Sequence, residues 1–532
     1  MKLTYKGLSD VEGWKKAGIE LPPYDPQELA KKTKANPLWV HFGIGNIFRI
    51  FVGGIADTLI RNGLMDRGII CAETFDYDVV DKIYAPFDNL ALAVTLHEDG
   101  KTDKRILGSL TEAVKAPGDW ERLKEIFTHS GLQMVSFTIT EKGYALHGSD
   151  GKYFPFVEAD MDNGPEKPKG AMAIVTAMLY ERFKTGAAPL ALVSMDNVSQ
   201  NGRKLRESVM ETAEKWQEKG FVPADFVAYV KDESRVSFPW SMIDKITPRP
   251  SEDVGKMLED LGVEDMGIVV TSKRTYIAPF VNAEAPGYLV VEDNFPNGRP
   301  PLEKAGMYLT DRKTVNLSER MKVTTCLNPI HSALCTYDIL LGYVLFADGM
   351  HDPELSKLAK TLGYDEGLPV VEDPKILSPK AFLDECMNVR FPNPYLGDTS
   401  ARIATDISQG LAFRFGETVK SWVAREGSAE RLKAVPLAIA GWLRYLLGTD
   451  DKGGKFELSP DPLNAEMTKQ LEGIVIGKPE TVGDKLKPIL SNAHIFGVNL
   501  YDAGIGGKVE AIFRDEVAGF GVVRDVLKKY LA

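Results

Sequence analysis

LWVHFGIGNIFR, residues 38–49, is the stretch on which the fold turns. A β-type run from Leu38 to Phe42 leads into Gly43-Ile44-Gly45, and a helical pattern follows in IFRIFVGGIADTLIRNG. In such a loop the first glycine permits a tight strand-to-helix turn and the second lets the backbone approach a pyrophosphate. The helix N-terminus adds free N–H groups and the positive end of its dipole. The third glycine of a Gly-x-Gly-x-x-Gly loop would fall at position 48, which is Phe48. Taken alone, Gly-x-Gly is a turn more often than a cofactor loop. The next apolar run, GIICAE, ends at Glu73, 28 residues after Gly45. That is where a dinucleotide fold places the carboxylate that hydrogen-bonds the adenosine ribose, with Asp76 and Asp78 as alternatives. A carboxylate there also repels a 2′-phosphate, so NAD is expected over NADP.

On either side of this loop, short apolar runs alternate with helical patterns from Leu38 to about Val230, among them MVSFTIT and LALVSM. This alternation predicts βαβ units and a mostly parallel sheet. GIVVTS and GYLVVED are later strand candidates, and beyond about Met321 helical periodicity dominates. The expected architecture is α/β, with a polar, ordered extension over 1–35, a Rossmann-like NAD-binding domain over 36–285 and a mostly helical substrate domain over 286–532.

The 532 residues are 44% hydrophobic and 26% charged with a formal net charge of −11, and the sequence pI is near 5.4. With no sustained Lys/Arg run, neither a nucleic-acid surface nor an anionic-membrane surface is expected. A small anionic substrate remains compatible, because a few basic residues in one cleft suffice. Cys71, Cys326, Cys335 and Cys386 form no CxxC pair and predict buried thiols. The seven histidines include no HxH or HExxH grouping, so no metal is expected. MKLTYKGLSDVEGWKK lacks a signal-peptide apolar region and no window approaches a membrane span, which predicts a cytoplasmic location.

SERMKVTTCLNPIHSALCTYDILLGY holds Lys322, Asn328 and His331. A desolvated lysine can take a hydroxyl proton as hydride leaves, and neutral amide and imidazole N–H groups can stabilise the developing oxyanion, all without metal. The landmarks GIGNIFR (43–49), TITEKGY (138–144), SMDNVSQNGRKL (194–205), FPWSMIDKITP (238–248), VVEDNFPNGRP (290–300), MKVTTCLNPIHSAL (321–334) and RFPNPYLGDTSARI (390–403) occur in this order. Together they resemble the mannitol dehydrogenase family, the polyol-specific long-chain dehydrogenases that include fructuronate and tagaturonate reductases.

The resemblance implies a Rossmann-like N-terminal domain, a helical C-terminal domain and a site between them. It implies Lys322 as catalytic base, with Asn328 and His331 holding the alcohol or carbonyl oxygen. Asn197 and Asp244 match positions that contact substrate or support the site, and Glu141 an acidic residue near the lysine. Gly43, Gly45, Asn46 and Ile47 lie in the matched cofactor block. Lys142, Arg390, Arg402 and Arg414 lie in or near matched blocks as candidates for holding a substrate carboxylate, Arg402 and Arg414 foremost. The implied reaction interconverts a keto-uronate and an aldonate of the fructuronate/mannonate type. The alternatives are a neutral polyol dehydrogenase, a tagaturonate reductase, an NAD-assisted epimerase and a non-catalytic NAD-binding sensor, with the chain a monomer or small homo-oligomer.

The sequence departs from the family pattern. Lys322 precedes Asn328 by six positions where the family has five, Asn-Pro-Ile-His replaces Asn-Gly-Ser-His, Trp240 stands in FPWSM, and a later family lysine has no clean match in SQGLAFRFGE, where Arg414 is the nearest basic residue. On one straight helix Lys322 and His331, nine residues apart, would sit about half a turn out of phase, whereas the family's eight-residue spacing leaves about 80°. Pro329 offers a way out, because proline is favoured in the first helical turn and Asn before it is a preferred cap. The expectation is therefore a helix starting at Asn328, with Lys322 on a separate or bulged turn before it. The rival reading is a slipped register in which the lysine is not catalytic.

Overall fold

Runs such as Trp39–Phe42, buried at every residue, form strands covered on both faces, as parallel sheets require. The computed structural model describes residues 1–532 and divides into two compact units, Met1–Asn316 and Leu317–Ala532. In the first unit, β1 (Trp39–Phe42), β2 (Ile69–Glu73), β3 (Leu110–Lys115), β4 (Met134–Phe137), β5 (Leu190–Ser194) and β6 (Val236–Ser237) build one sheet. Its spatial order is β3-β2-β1-β4-β5-β6, and every pairing is parallel. This is the doubly wound order of a dinucleotide fold, with its switch point between β1 and β4. Val40 stands opposite Ile70 and Val135. Alternate residues serve opposite faces, as a period of two dictates. Val40 and Phe42 join one core with Leu123 and Leu205, while Trp39 joins another with Ile55 and Leu59.

The first 35 residues are ordered and integral to this unit. Ile19–Glu20 adds a parallel strand to Thr102–Leu107, and Leu3 and Trp14 pack with Val254, Leu258 and Phe280. The division between units falls about 30 residues later than the expected 285/286 boundary. The cause is strand pairing: Tyr288–Glu292, from GYLVVED, pairs antiparallel with Ser241–Asp244 and parallel with Tyr308–Thr310. Both late strands therefore belong to the first unit.

The second unit is built of helices, with isolated β-bridges such as that between Leu345 and Thr399. Its centre is the helix Asn328–Leu341 beside Ala434–Tyr445, every residue of which is buried. Gly441 permits close approach, because a Cβ there would lie 2.5 Å from the Tyr337 ring. The Tyr337 hydroxyl donates to the Leu437 carbonyl at 2.8 Å and lies 2.7 Å from Glu516 Oε1. All four cysteines are free and buried. No helix is long and apolar enough to cross a membrane.

Candidate active site

The Gly43–Gly45 loop leaves β1 at the switch point. Gly43 has φ +87°, and a Cβ there would lie 2.1 Å from the Thr138 carbonyl oxygen, so only glycine fits. The Gly43 N–H donates to the Ala72 carbonyl, Thr138 Oγ1 to the Gly43 carbonyl at 2.7 Å, and the Tyr84 hydroxyl to the Ile44 carbonyl at 2.9 Å. Gly45 differs, since a Cβ there would meet nothing within 4 Å. The helix then starts at Asn46. Asn46 donates to the Tyr276 carbonyl, and its Oδ1 is buried without a partner. Ile47 turns its side chain into the core, leaving only its backbone for a ligand.

Phe48, in the place of the third glycine, stacks on His41 with ring centroids 3.9 Å apart. Close helix–sheet packing passes instead to Gly53, where a Cβ would lie 3.0 Å from Leu110 Cδ2. A π turn over Phe48–Val52 separates the two positions. Two adjacent glycines inside a helical pattern, a costly choice for a helix, were the available signal.

Glu73 ends β2, and its Oε1 accepts the N–H groups of Thr74, Phe75 and Asp76. Burial raises its pKa, while these N–H groups and that of Ile44 oppose the rise. Asp76 and Asp78 are otherwise engaged. Asp76 Oδ2 accepts from the hydroxyls of Thr271 and Thr275, and Asp78 from the Ser272 N–H and Lys82. Through these oxygens they anchor a neighbouring hairpin, while Asp76 Oδ1 is buried without a partner and Glu73 is the carboxylate at the end of β2.

In the 138–144 block, Glu141 is exposed and pairs with Lys204. The geometry there is set by Asp196, which sequence reasoning missed. Its carboxylate accepts the N–H groups of Ile139 and Thr140 and the Tyr144 hydroxyl, and so holds Thr140 at φ +64°. A left-handed β-branched residue is strained and persists only where its surroundings fix it. Asn201, also missed, ties Ser194, Asp196 and Ser241 together through its amide. Asn197 lies exposed in the loop between them. Asp244 is buried at a strand end opposite Tyr288.

In the second unit the extra residue before His331 is absorbed by a π turn. A helix over Arg312–Met321 gives way to a π segment over Lys322–Cys326, in which the Leu327 N–H reaches back five residues to the Lys322 carbonyl at 3.1 Å. A π turn takes up one residue more than an α turn, which returns Lys322 toward the phase an eight-residue spacing would give. Leu327 then breaks the helix with φ −124° and ψ −66°, and a new helix runs from Asn328 to Leu341. The cap is Leu327 rather than Asn328. Released from capping, Asn328 has its Oδ1 buried and unpartnered. Lys322 is only 1% exposed.

His331 sits between Phe346 and Phe391, ring centroids 4.8 and 4.9 Å away. Burial lowers its pKa to about 4, with Arg390, Arg402 and Arg414 pushing the same way and Asp398 opposing. The imidazole is therefore neutral near pH 7 and can donate one N–H. Arg402 is exposed and forms a two-point ion pair with Asp398, at 2.6 and 2.5 Å. Arg390 is buried, and Arg414 donates to Ser332 Oγ at 2.7 Å. Lys142 is exposed in the first unit.

Comparison with known proteins finds matches over both units. The mannitol dehydrogenase Rossmann domain matches residues 38–304 and the mannitol dehydrogenase C-terminal domain residues 315–510. The chain is 51% identical to D-mannonate oxidoreductase of Thermotoga maritima across 99% of both chains. It is 30% identical to the polyol:NADP oxidoreductase of Gluconobacter oxydans over 86% of this chain and 88% of that one. Among solved structures it resembles substrate-free D-sorbitol dehydrogenase, with TM-score 0.78, 26% identity and coverage of 96% and 97%. It shares its fold with Pseudomonas fluorescens mannitol 2-dehydrogenase, solved with NAD and D-mannitol, with TM-score 0.72, 24% identity and coverage of 100% and 99%. With both domain models matched in order along one chain, this protein belongs to the mannitol dehydrogenase family.

Proposed function

We propose that the chain is an NAD-dependent oxidoreductase interconverting D-mannonate and its keto-uronate, fructuronate, in the cytoplasm. The observation that carries this reading is the likeness to D-mannonate oxidoreductase along the whole of both chains. The first unit suits a dinucleotide: Gly45 leaves room at a helix start, and the unpartnered Asn46 oxygen fits a ribose hydroxyl. Glu73, at the end of β2, favours NAD, because a carboxylate there pairs with a ribose hydroxyl and repels a 2′-phosphate. Bound NAD supplies the hydride acceptor for oxidation and, reduced, the donor for reduction.

The second unit handles the proton. Lys322 Nζ takes the hydroxyl proton of the substrate alcohol as the carbonyl forms, and returns it in the reverse direction. Neutral His331 and the Asn328 amide hold the reacting oxygen and stabilise its developing negative charge. Glu141, paired with Lys204, and Asn197 and Asp244 of the matched blocks act in support. A spectrophotometric assay of NADH with fructuronate, tagaturonate and fructose, and of NAD with mannonate and mannitol, tests the reading. Preferred turnover of fructuronate and mannonate is expected. A preference for fructose and mannitol, or for NADPH, overturns it.

A further inference from the structure

Beside His331 lies a cation without a counter-ion. Arg414 is half-buried, and its one hydrogen-bond partner is the hydroxyl of Ser332, next in sequence to His331. No carboxylate pairs with it, whereas neighbouring Arg402 is satisfied by Asp398. Arg320, on the preceding helix, is likewise held by Glu372 and Glu417. Leaving a charged group partly desolvated and unpaired costs free energy that a folded protein normally avoids.

The fold makes room for this arrangement. Arg414 curls back over Gly410, where a Cβ would lie 2.3 Å from its Nε and 2.6 Å from its Cζ. A side chain at 410 would thus drive the guanidinium from its place. Of the five N–H donors of a guanidinium, Ser332 engages one. The remainder suit the planar, two-point recognition of a carboxylate.

We propose that Arg414, seated over Gly410 and steadied by Ser332, binds the substrate's carboxylate and makes this chain selective for a sugar acid over the corresponding neutral polyol. The inference rests on the oxidoreductase reading above and assigns its acid specificity to one side chain. The substrate supplies the missing counter-ion, so binding of an anionic sugar relieves a cost that a neutral sugar does not.

The test compares the full-length wild type with Arg414→Gln and Gly410→Ala, using mannonate and mannitol. In Arg414→Gln, kcat/KM for mannonate should fall at least ~30-fold, the lower end for truncating one partner of a buried charge pair. The loss should appear mainly in KM and should be at least ~10-fold larger on mannonate than on mannitol. Gly410→Ala keeps the charge but displaces it and should show the same selective loss. The second readout is thermal melting without cofactor. Mannonate should raise the wild-type Tm more than mannitol does, and both variants should abolish that difference while melting, ligand-free, no lower than wild type. An equal loss on both substrates, or a mannonate-specific shift that survives in Arg414→Gln, overturns the assignment. If the wild type does not oxidise mannonate, the oxidoreductase reading fails, and the melting comparison still decides whether Arg414 is the anion site.

Discussion

The two glycines of the first loop should fail in opposite ways. At Gly43 an added Cβ would press to 2.1 Å from the Thr138 carbonyl, and the residue sits at φ +87°. The left-handed conformation alone costs a non-glycine residue about 1–2 kcal/mol. Relieving the clash means separating the β1 and β4 loops by about 1 Å, which loosens the Thr138-to-Gly43 and Gly43-to-Ala72 hydrogen bonds at about 1 kcal/mol each. Gly43→Ala should therefore destabilise the ligand-free protein by roughly 3–5 kcal/mol and lower its Tm by roughly 5–10 °C. Gly45→Ala places its methyl where nothing lies within 4 Å, so its Tm should stay within about 1 °C of wild type. Its cost appears only when a pyrophosphate approaches, and it should weaken NADH binding about tenfold or more, or about 1.4 kcal/mol. Scanning fluorimetry of the apo protein and titration of NADH fluorescence measure the two effects separately. The reasoning is refuted if Gly45→Ala binds NADH with wild-type affinity, or if it melts as early as Gly43→Ala.

Lys322→Ala should lower kcat at least ~100-fold if the lysine is the general base, and a mild effect would favour the slipped-register reading. His331, its pKa lowered to about 4 by burial, should contribute no protonation limb to kcat/KM above about pH 5. Its neutral state makes the linkage one-sided: the unfolded chain binds this proton below pH 6.5 and the folded chain only near 4. Stability is thus complete above 6.5 and falls by about 3 kcal/mol as pH drops to 4, a decline that urea unfolding of His331→Gln should show reduced. Glu516 behaves in the opposite sense, since burial raises its pKa to about 8. Its contribution is full below pH 4.5 and lost as pH rises through 8, so Glu516→Gln should melt later than wild type at pH 8.5, by an amount on the order of 2–4 kcal/mol, and equally at pH 5. Equal melting at both pH values would show that Glu516 is ionised in the fold.

The features legible in the sequence were local. Apolar runs bounded by turns located β1, β2, β4 and β5, the Gly43-x-Gly45 turn follows from the steric needs of a strand-to-helix corner, and Pro329 announced a helix break near Lys322. Each is a statement about neighbours along the chain, where backbone sterics and periodicity act. The tertiary structure decided which polar groups were already spent. Glu73, Asp76 and Asp78 look alike in sequence, yet Thr271 and Thr275, almost 200 residues away, claim Asp76. Asp196 and Asn201 became supports only because β4, β5 and the strand at Ser241 converge on them. Arg414 reaches Ser332 across 82 residues because Gly410 leaves space for it. Such contacts leave no periodic trace, because burial and pairing depend on what the rest of the chain brings to the same place.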